Sequence, residues 1–428
     1  MRDYLTTVPL QVSLLIIVLS ITYLIQRFWF MRAWRLINRV SRPTSRTLLR
    51  SLLFVAVSAV LITVLDSALR HILPRNRAVD HLLTGTKLWL SLSFLAALST
   101  KAVGAFNWMS GNILTVITPF NRGRFNSSRR AFVRSATLAA GGFPFVAGAY
   151  GFFNGRLDFQ TRAVPISIAH LPMELDGLRI VHLSDIHMGD FMPRAAVRRA
   201  VDMANELRAD LAVVTGDFIT DVNDPLDECV AELSRLHAPL GVWGCNGNHE
   251  VYASVEETAR QLFERYGMRL LRQENAEIEW RGGRFNMIGV DYQRQPIPYS
   301  ASPPMLRGIE PLIRKNMANI LLSHNPNSFR RAAELGIELS LAGHTHGGQV
   351  RVEIVDHSWS PARFMTNFVA GLYRLPFATD ANASSTGLAD EQAKPASLYV
   401  NSGLGTIGIP VRLGVPPEIT LITLRATD

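Results

Sequence analysis

Cysteine is nearly absent: only Cys229 and Cys245 occur in 428 residues, which excludes a disulfide framework and a cysteine-built zinc module. One bridge is open to such a pair, but two unpaired core thiols are the preferred reading, because a free cysteine packs as a small hydrophobe. Acidic side chains are also scarce, though only in one half. Residues 1–160 hold 19 basic and 4 acidic side chains, a balance of +15, whereas residues 161–428 hold 25 and 31, a balance of −6. The overall charge of +9 therefore belongs to the first part of the chain, and a nucleic-acid footprint is not expected. Ionisable residues are rare within the apolar runs of that part, where Lys101 stands alone and Asp66 ends a run. A channel or transporter carries polar groups inside its spans, so an anchor is the expected role.

What is present in that half is long and apolar. Runs at about 9–26, 50–66, 88–106 and 135–153 are each near the length of about 20 helical residues that a bilayer core requires. The last is loosened by Gly141, Gly142 and Pro144. Ile113–Phe120 is too short to cross alone and is read as a re-entrant or interfacial piece. Between the first two runs lie seven arginines (27, 32, 35, 39, 42, 46, 50) and between the last two lie five (122, 124, 129, 130, 134), with no acid in either stretch. Positive-inside bias then puts both connections in the cytoplasm, and the N-terminus and everything after 153 outside. Ser128-Arg129-Arg130-Ala131-Phe132-Val133-Arg134 resembles a twin-arginine export signal. An ordinary positive-inside cluster is the alternative reading, since the motif is internal. Ala147-Gly148-Ala149 could be cut by a signal peptidase, although a retained anchor better explains the preceding runs.

From about 160 the pattern changes to short β-branched runs alternating with amphipathic segments. Strands are expected at 178–183, 211–215, 241–245, 319–323, 338–342, 397–402 and 418–424, helices at 193–209 and 225–236, and a hairpin at 276–289 turning on Gly282-Gly283. Residues 376–396 are small, polar and patternless, and read as a mobile loop. The organisation is thus a transmembrane region at 1–153, a linker at 154–164 and a catalytic domain at 165–428. The fold class is α/β: a bundle of about four transmembrane helices, then layered sheets with mixed strands.

Polar clusters follow the apolar strands in order: Asp185-Ile-His187, Gly216-Asp217, Gly247-Asn248-His249-Glu250, Ser323-His324-Asn325 and Gly343-His344-Thr345-His346-Gly347. Strand ends of an open α/β sheet converge on one crevice, so these groups are expected together. They offer oxygen and nitrogen without thiolate, which suits Mn, Fe, Zn or Co better than Ca or Mg. Two aspartates, one asparagine and four histidines exceed the needs of one ion. Two divalent ions about 3.5–4 Å apart, sharing a carboxylate, would use them, an arrangement that favours in-line displacement at phosphorus.

The ordered set D-x-H, G-D, G-N-H-E, H and G-H-x-H resembles the signature of the calcineurin-like metallophosphoesterases. The forms LSDIH, VVTGDF, LLSHNP and LAGHTHGGQ, with GLYR, SGLG and PPEITLITL, look like a membrane-associated subgroup of bacterial phosphodiesterases. The resemblance covers about 170–428 and implies an αββα metallophosphoesterase sandwich. It also implies one metal held by Asp185, His187, Asp217 and His346, and a second by Asp217, Asn248, His324 and His344, with Asp217 bridging. His249 would bind no metal but protonate the leaving oxygen or stabilise the developing charge, with a neighbouring carboxylate, Glu250 being the candidate, holding its tautomer. The nucleophile would be a metal-bridging hydroxide.

Alternatives attach to several residues. Glu250 is equally readable as a helix-capping group, and His170, His182, His237 and His357 as ordinary core or surface histidines. The expected function is a membrane-anchored phosphodiesterase acting on a phosphodiester or pyrophosphate of a lipid or envelope precursor at the outer face of a bacterial cytoplasmic membrane. The twin-arginine machinery would be its partner during biogenesis. The rival readings are a non-catalytic phosphate-recognising envelope module and a phosphomonoesterase of a soluble periplasmic substrate. A linker of about ten residues reaches no more than about 35–40 Å, which keeps the crevice near the lipid. Phe364, Met365, Phe368, Leu372, Tyr373 and Phe377 follow the last motif and are read either as an apolar rim or as core.

Overall fold

The structure, a computed structural model, describes residues 2–68, 77–117, 127–168, 171–294, 305–354, 357–377 and 395–426. It divides into two compact units, Met1–Tyr150 and Gly151–Asp428.

The first unit is helical: α1 (Arg2–Ile37), α2 (Pro43–Ala68), α3 (Arg77–Ile117) and most of α4 (Ser127–Phe153). Among the described residues, four segments are long and apolar enough to cross a membrane: Ile16–Ile37, Pro43–Asp66, Ala78–Ser110 and Arg130–Leu157. Leu61, Leu98, Phe106 and Phe143 stand exposed on the helices, as surfaces meant for lipid do. The expected arginine loop at 27–50 is mostly helix, leaving only a short turn between α1 and α2. Arginine stems tolerate this by lying along aromatic rings, with Arg32 4.2 Å from the Phe28 ring and Arg50 4.8 Å from that of Trp34. Ile113–Ile117 is the last turn of α3 rather than a separate piece. Residues 118–126, including Arg122 and Arg124, lie outside the described residues, as do 378–394 of the expected mobile loop and His170.

The second unit is an αββα sandwich. Its strands are β1 (Gln160–Ile168), β2 (Arg179–Leu183), β3 (Leu211–Thr215), β4 (Val242–Cys245), β5 (Arg269–Leu270), β6 (Glu274–Trp280), β7 (Gly283–Gly289), β8 (Ala318–Leu322), β9 (Leu339–Ala342), β10 (Val352–Ile354), β11 (His357–Trp359), β12 (Gly371–Leu375), β13 (Ala396–Val400) and β14 (Glu418–Ala426). One sheet has the order β1-β14-β2-β3-β4-β5 and the other β12-β13-β9-β8-β7-β6, with β10 and β11 as a separate ribbon. Parallel pairing joins β2 to β3 to β4, and β7 to β8 to β9 to β13.

Strand alternation builds three layers of core. Ile180, Leu211, Val213, Ile320, Leu322, Leu339, Leu341 and Tyr399 point between the sheets. Their neighbours Val181, Leu183, Ala212 and Val214 point outward beneath α5 (Arg194–Glu206), α6 (Leu226–Leu233) and α8 (Glu256–Arg265), while Leu321, Leu398 and Val400 pack beside α9 (Phe329–Glu334). Burial on both faces explains why these strands read as continuous apolar runs. Cys229 and Cys245 are free and buried.

Residues 154–164 differ from the expected linker. They contain a 3-10 turn, Gly155–Leu157, and the first part of β1, which pairs in parallel with β14 from Gln160 to Ile168. Of the apolar residues after the last motif, Phe368 and Phe377 are buried core, with Tyr373 packed against them and Leu372 against the inter-sheet layer. Only Phe364 and Met365 stand exposed, at 79% and 78%.

Candidate metal centre

Every expected site residue follows a strand. Asp185 and His187 follow β2, Asp217 follows β3, Asn248 and His249 open α7 (Asn248–Ala253) after β4, His324 follows β8, and His344 and His346 follow β9. Because these strands run parallel within each sheet, their carboxyl ends meet at one rim of the sandwich. The backbone there is strained: Asp185, His187, Asp217, His344 and His346 have φ of 49°, 48°, 54°, 73° and 52°. Such left-handed conformations cost about 1–3 kcal/mol each in non-glycine residues, and strain of this kind clusters where side chains must be aimed. Gly343 shows how tightly the loops approach, since a Cβ there would collide with Ser184 Oγ and Asp185 Oδ2.

Two groups of candidate ligands result, Asp185/His187/Asp217/His346 and Asp217/His324/His344, and Asp217 belongs to both. Within them His187 Nε2 lies 3.5 Å and His324 Nε2 3.1 Å from Asp217 Oδ2, and His346 Nε2 3.3 Å from Asp185 Oδ1. The other ring nitrogens are engaged: His187 Nδ1 lies 2.9 Å from Thr220 Oγ1, while His324 Nδ1 donates to Thr215 O at 2.6 Å and His346 Nδ1 to Gly405 O at 3.4 Å. A carbonyl partner fixes Nδ1 as the protonated nitrogen and leaves the Nε2 lone pair for a cation. Among the described residues, His187 Nε2 and Asn248 Oδ1 are buried without a hydrogen-bond partner, and His324 Nε2 has only the Asp217 carboxylate beside it. Unpartnered atoms of this kind beside two buried carboxylates fit divalent metal ions.

The charge distribution agrees. Burial holds His187 and His346 below the ordinary imidazole value and His344 at about 4, so all three are neutral at pH 7. His324 is different: burial works against its charge, but Asp217 and Asp185 prevail and raise it to about 10. Asp217 is held well below the usual carboxylate range, burial notwithstanding, chiefly by His324. Without metal, then, a proton on His324 offsets one of the two carboxylate charges, and a metal must displace it. Metal uptake at pH 7 should release about one proton, and affinity should climb roughly tenfold per pH unit below the His324 value. Calorimetric titration in buffers of different ionisation enthalpy measures this, and uptake without proton release would refute the placement of that charge.

His249 is positioned by a group other than the expected carboxylate. Its Nδ1 donates to the carbonyl of Thr220 at 2.6 Å, and its backbone N–H donates to Asp217 Oδ1 at 2.9 Å. Glu250 is fully buried and accepts from the backbone N–H groups of Asp217, Phe218 and Gly247, each at 2.8 Å. The third residue of a helix turns its side chain back toward the N-terminus, so Glu250 ties the Asp217 loop to the start of α7 and does not hold the His249 ring. Burial, then Asp217, pushes Glu250 up to about 7, against three donors that favour its anion. The remaining histidines are structural or peripheral. His182 is buried, bonded to Thr215 and held near 3 by burial; His237 is exposed; His357 lies in β11.

Arg412 went unnoticed in the sequence. Its buried guanidinium donates to the carbonyls of Ser402 (2.8 Å), Gly403 (3.0 Å), Gly405 (2.6 Å), Val415 (3.4 Å) and His346 (3.5 Å). Burial lowers it to about 10, which still leaves it charged at pH 7. The loop it clamps lies against the candidate ligands, because Gly405 N–H donates to Asp185 O at 2.7 Å and Gly405 O receives His346 Nδ1. Gly151–Leu157 closes over the same loops: Arg412 N–H donates to Gly151 O at 3.3 Å, a Cβ on Gly155 would collide with Arg412 O, and Arg156 donates to Phe191 O just beyond His187. This unit is therefore incomplete without residues 151–159. Arg412→Lys retains charge but not the fork of donors, and should weaken metal binding roughly 10–100-fold, as loss of outer-shell support does. A folded variant with unaltered metal affinity would show the clamp to be irrelevant to the centre.

Residues 178–348 match the model of the calcineurin-like phosphoesterase family. The chain is 29% identical over 353 residues to a cattle (Bos taurus) protein described as "Transmembrane protein with metallophosphoesterase domain", covering 79% of this chain and 71% of that one. A zebrafish (Danio rerio) protein of the same description is 28% identical, covering 71% of this chain and 64% of its own length. The Bacillus subtilis "Uncharacterized metallophosphoesterase YkuE" is 26% identical, covering 70% of this chain and 99% of that one. With the ordered motifs, the sandwich and the buried His/Asp cluster in agreement, residues 178–348 form a calcineurin-like metallophosphoesterase domain, in a chain that is similar to relatives described as transmembrane.

Proposed function

We propose that this protein is a two-metal phosphodiesterase that hydrolyses a phosphodiester or pyrophosphate of a lipid or envelope precursor at the outer face of a bacterial cytoplasmic membrane. The observation that carries the catalytic reading is the pair of ligand groups sharing buried Asp217, with Asn248 Oδ1 and His187 Nε2 left without hydrogen-bond partners among the described residues. When bound, the ions supply charge neutralisation at the phosphate and an activated water. Asp185, His187 and His346 hold one side of the centre, Asn248, His324 and His344 the other, and Asp217 spans both. His249, oriented by the Thr220 carbonyl, is the proton donor to the departing oxygen. No ligand of the set is missing, which favours an enzyme over a binding module.

The lipid reading is supported by the four membrane-length helices, by the short connection between α4 and β1, and by exposed Phe364 and Met365. The arginines clustered about the α1–α2 turn and at the start of α4 support the outward orientation, with export in folded form read from Ser128–Arg134. In intact cells an impermeant thiol reagent should label Lys315→Cys and spare Ser41→Cys, both at exposed positions, while buried Cys229 and Cys245 keep the background low. The reverse labelling would turn the protein over. Arg129→Lys with Arg130→Lys should abolish the outside label if the twin-arginine reading holds. With the full chain in vesicles, kcat/KM should favour a phospholipid head-group diester over the same head-group diester on short, water-soluble chains by roughly tenfold or more. Each apolar side chain inserted is worth about 1.5–3 kcal/mol. Equal values would leave the anchor as an address only.

A further inference from the structure

Beyond the ligands, one wall of the crevice is aromatic and ends in a cation. Tyr252 lies on α7 three residues after His249, with ring centroids 5.8 Å apart. Tyr292, in the loop after β7, faces His344 at 5.4 Å and His324 at 6.2 Å, and its ring lies 6.3 Å from that of Tyr252, to which its hydroxyl is hydrogen-bonded. Arg294 stacks on Tyr252, its guanidinium carbon 5.5 Å from the ring centroid.

The loop bearing these groups is pinned. Asp291 accepts from Arg272 Nε at 2.9 Å and Asn246 Nδ2 at 2.7 Å, Gln293 O accepts from Asn325 Nδ2 at 3.0 Å, and Gln293 Oε1 accepts from Leu306 N–H at 2.5 Å. Arg294 itself is exposed, and among the described residues no carboxylate lies within ion-pair distance of it. A stacked guanidinium keeps its fork of donors free for a planar or tetrahedral oxyanion.

The place of this wall decides what it can meet. Tyr252 is the ring beside His249 and Arg294 the cation beside Tyr252, with Tyr292 on the side of His324 and His344, so a group leaving past His249 along this wall would meet Arg294. The single charge of a phosphodiester would already be met by divalent ions held at Asp185, Asp217 and their histidines. A stacked cation farther out, with no carboxylate partner among the described residues, has a use when the leaving group carries its own anion.

We propose that Tyr252, Tyr292 and Arg294 form a subsite for a second phosphate or phosphonate-like anion on the leaving-group side, so that the natural substrate is a pyrophosphate or a diester whose leaving alcohol bears another phosphate. The assignment rests on the metal-centre reading above and narrows its substrate class.

The test is equilibrium binding to the metal-loaded full chain, with methylenediphosphonate and methylphosphonate as non-hydrolysable probes. The wild type should bind the diphosphonate more tightly. Arg294→Gln should shrink that preference about 10–100-fold, the loss of one charge-assisted contact, and Arg294→Lys should keep most of it. No preference in the wild type, or a preference that survives Arg294→Gln, overturns the subsite, since chelation by the metals alone would then account for it. Hydrolysis of bis(p-nitrophenyl) phosphate is measured in parallel. Turnover with an unmoved preference sinks the subsite alone, whereas absence of turnover in the metal-loaded wild type sinks the catalytic reading, whatever the probes do.

Discussion

Asp217→Asn should strip the protein of metal and activity together. Asp217 is the one side chain common to both ligand groups, it is 2% exposed, and its Oδ2 lies within 3.5 Å of His187 Nε2 and His324 Nε2. The amide keeps an oxygen for the His249 backbone N–H, so local structure has no reason to collapse. It cannot supply the charge that two cations share. His324 also loses the stronger of the two carboxylate partners that raise it to about 10. The expected loss in kcat is on the order of 10³-fold or more, beyond the 10–100-fold that removal of an outer-shell partner costs. Metal analysis of the purified variant should give substoichiometric binding. Full metal content with normal turnover would remove Asp217 from the centre.

His249→Ala should separate chemistry from binding. The ring lies 4.8 Å from that of His187, yet it belongs to neither ligand group, and its Nδ1 is committed to Thr220 O. Loss of a positioned acid should lower kcat by roughly 10²–10⁴ while metal content and melting temperature hold. The deficit should be largest for a poor alkoxide leaving group and smallest for p-nitrophenolate, which departs without needing a proton. A uniform deficit across leaving groups would point to charge stabilisation instead, and unchanged activity would end the assignment.

Much of the centre is visible in the sequence because metal ligands are specified by residue type and follow apolar strands. Strands buried on both faces are equally plain. β1 is not: Gln160–Val164 is exposed or only partly covered, and Pro165 is the kind of residue confined to sheet edges, so the segment reads as a connection until its pairing with β14 is seen. The tautomer-holding group of His249 escapes because it is a backbone carbonyl, which no residue type announces. Glu250 misleads because adjacency in sequence is not adjacency on a helix. Arg412 did leave a signal, a lone arginine in the apolar run Ile409-Pro-Val-Arg-Leu-Gly-Val with no acid beside it. Its five carbonyl partners, however, come together only through the fold.

The most direct test of the catalytic claim is hydrolysis of bis(p-nitrophenyl) phosphate by the full-length protein, first depleted of metal with a chelator and then titrated with Mn²⁺ while bound metal is counted. Turnover should be absent in the depleted protein and rise with metal occupancy, and Asp217→Asn should fail to respond. A chain that binds metal stoichiometrically at this centre yet cleaves neither this diester nor a phosphomonoester or pyrophosphate would contradict the account and leave a phosphate-recognising module in its place.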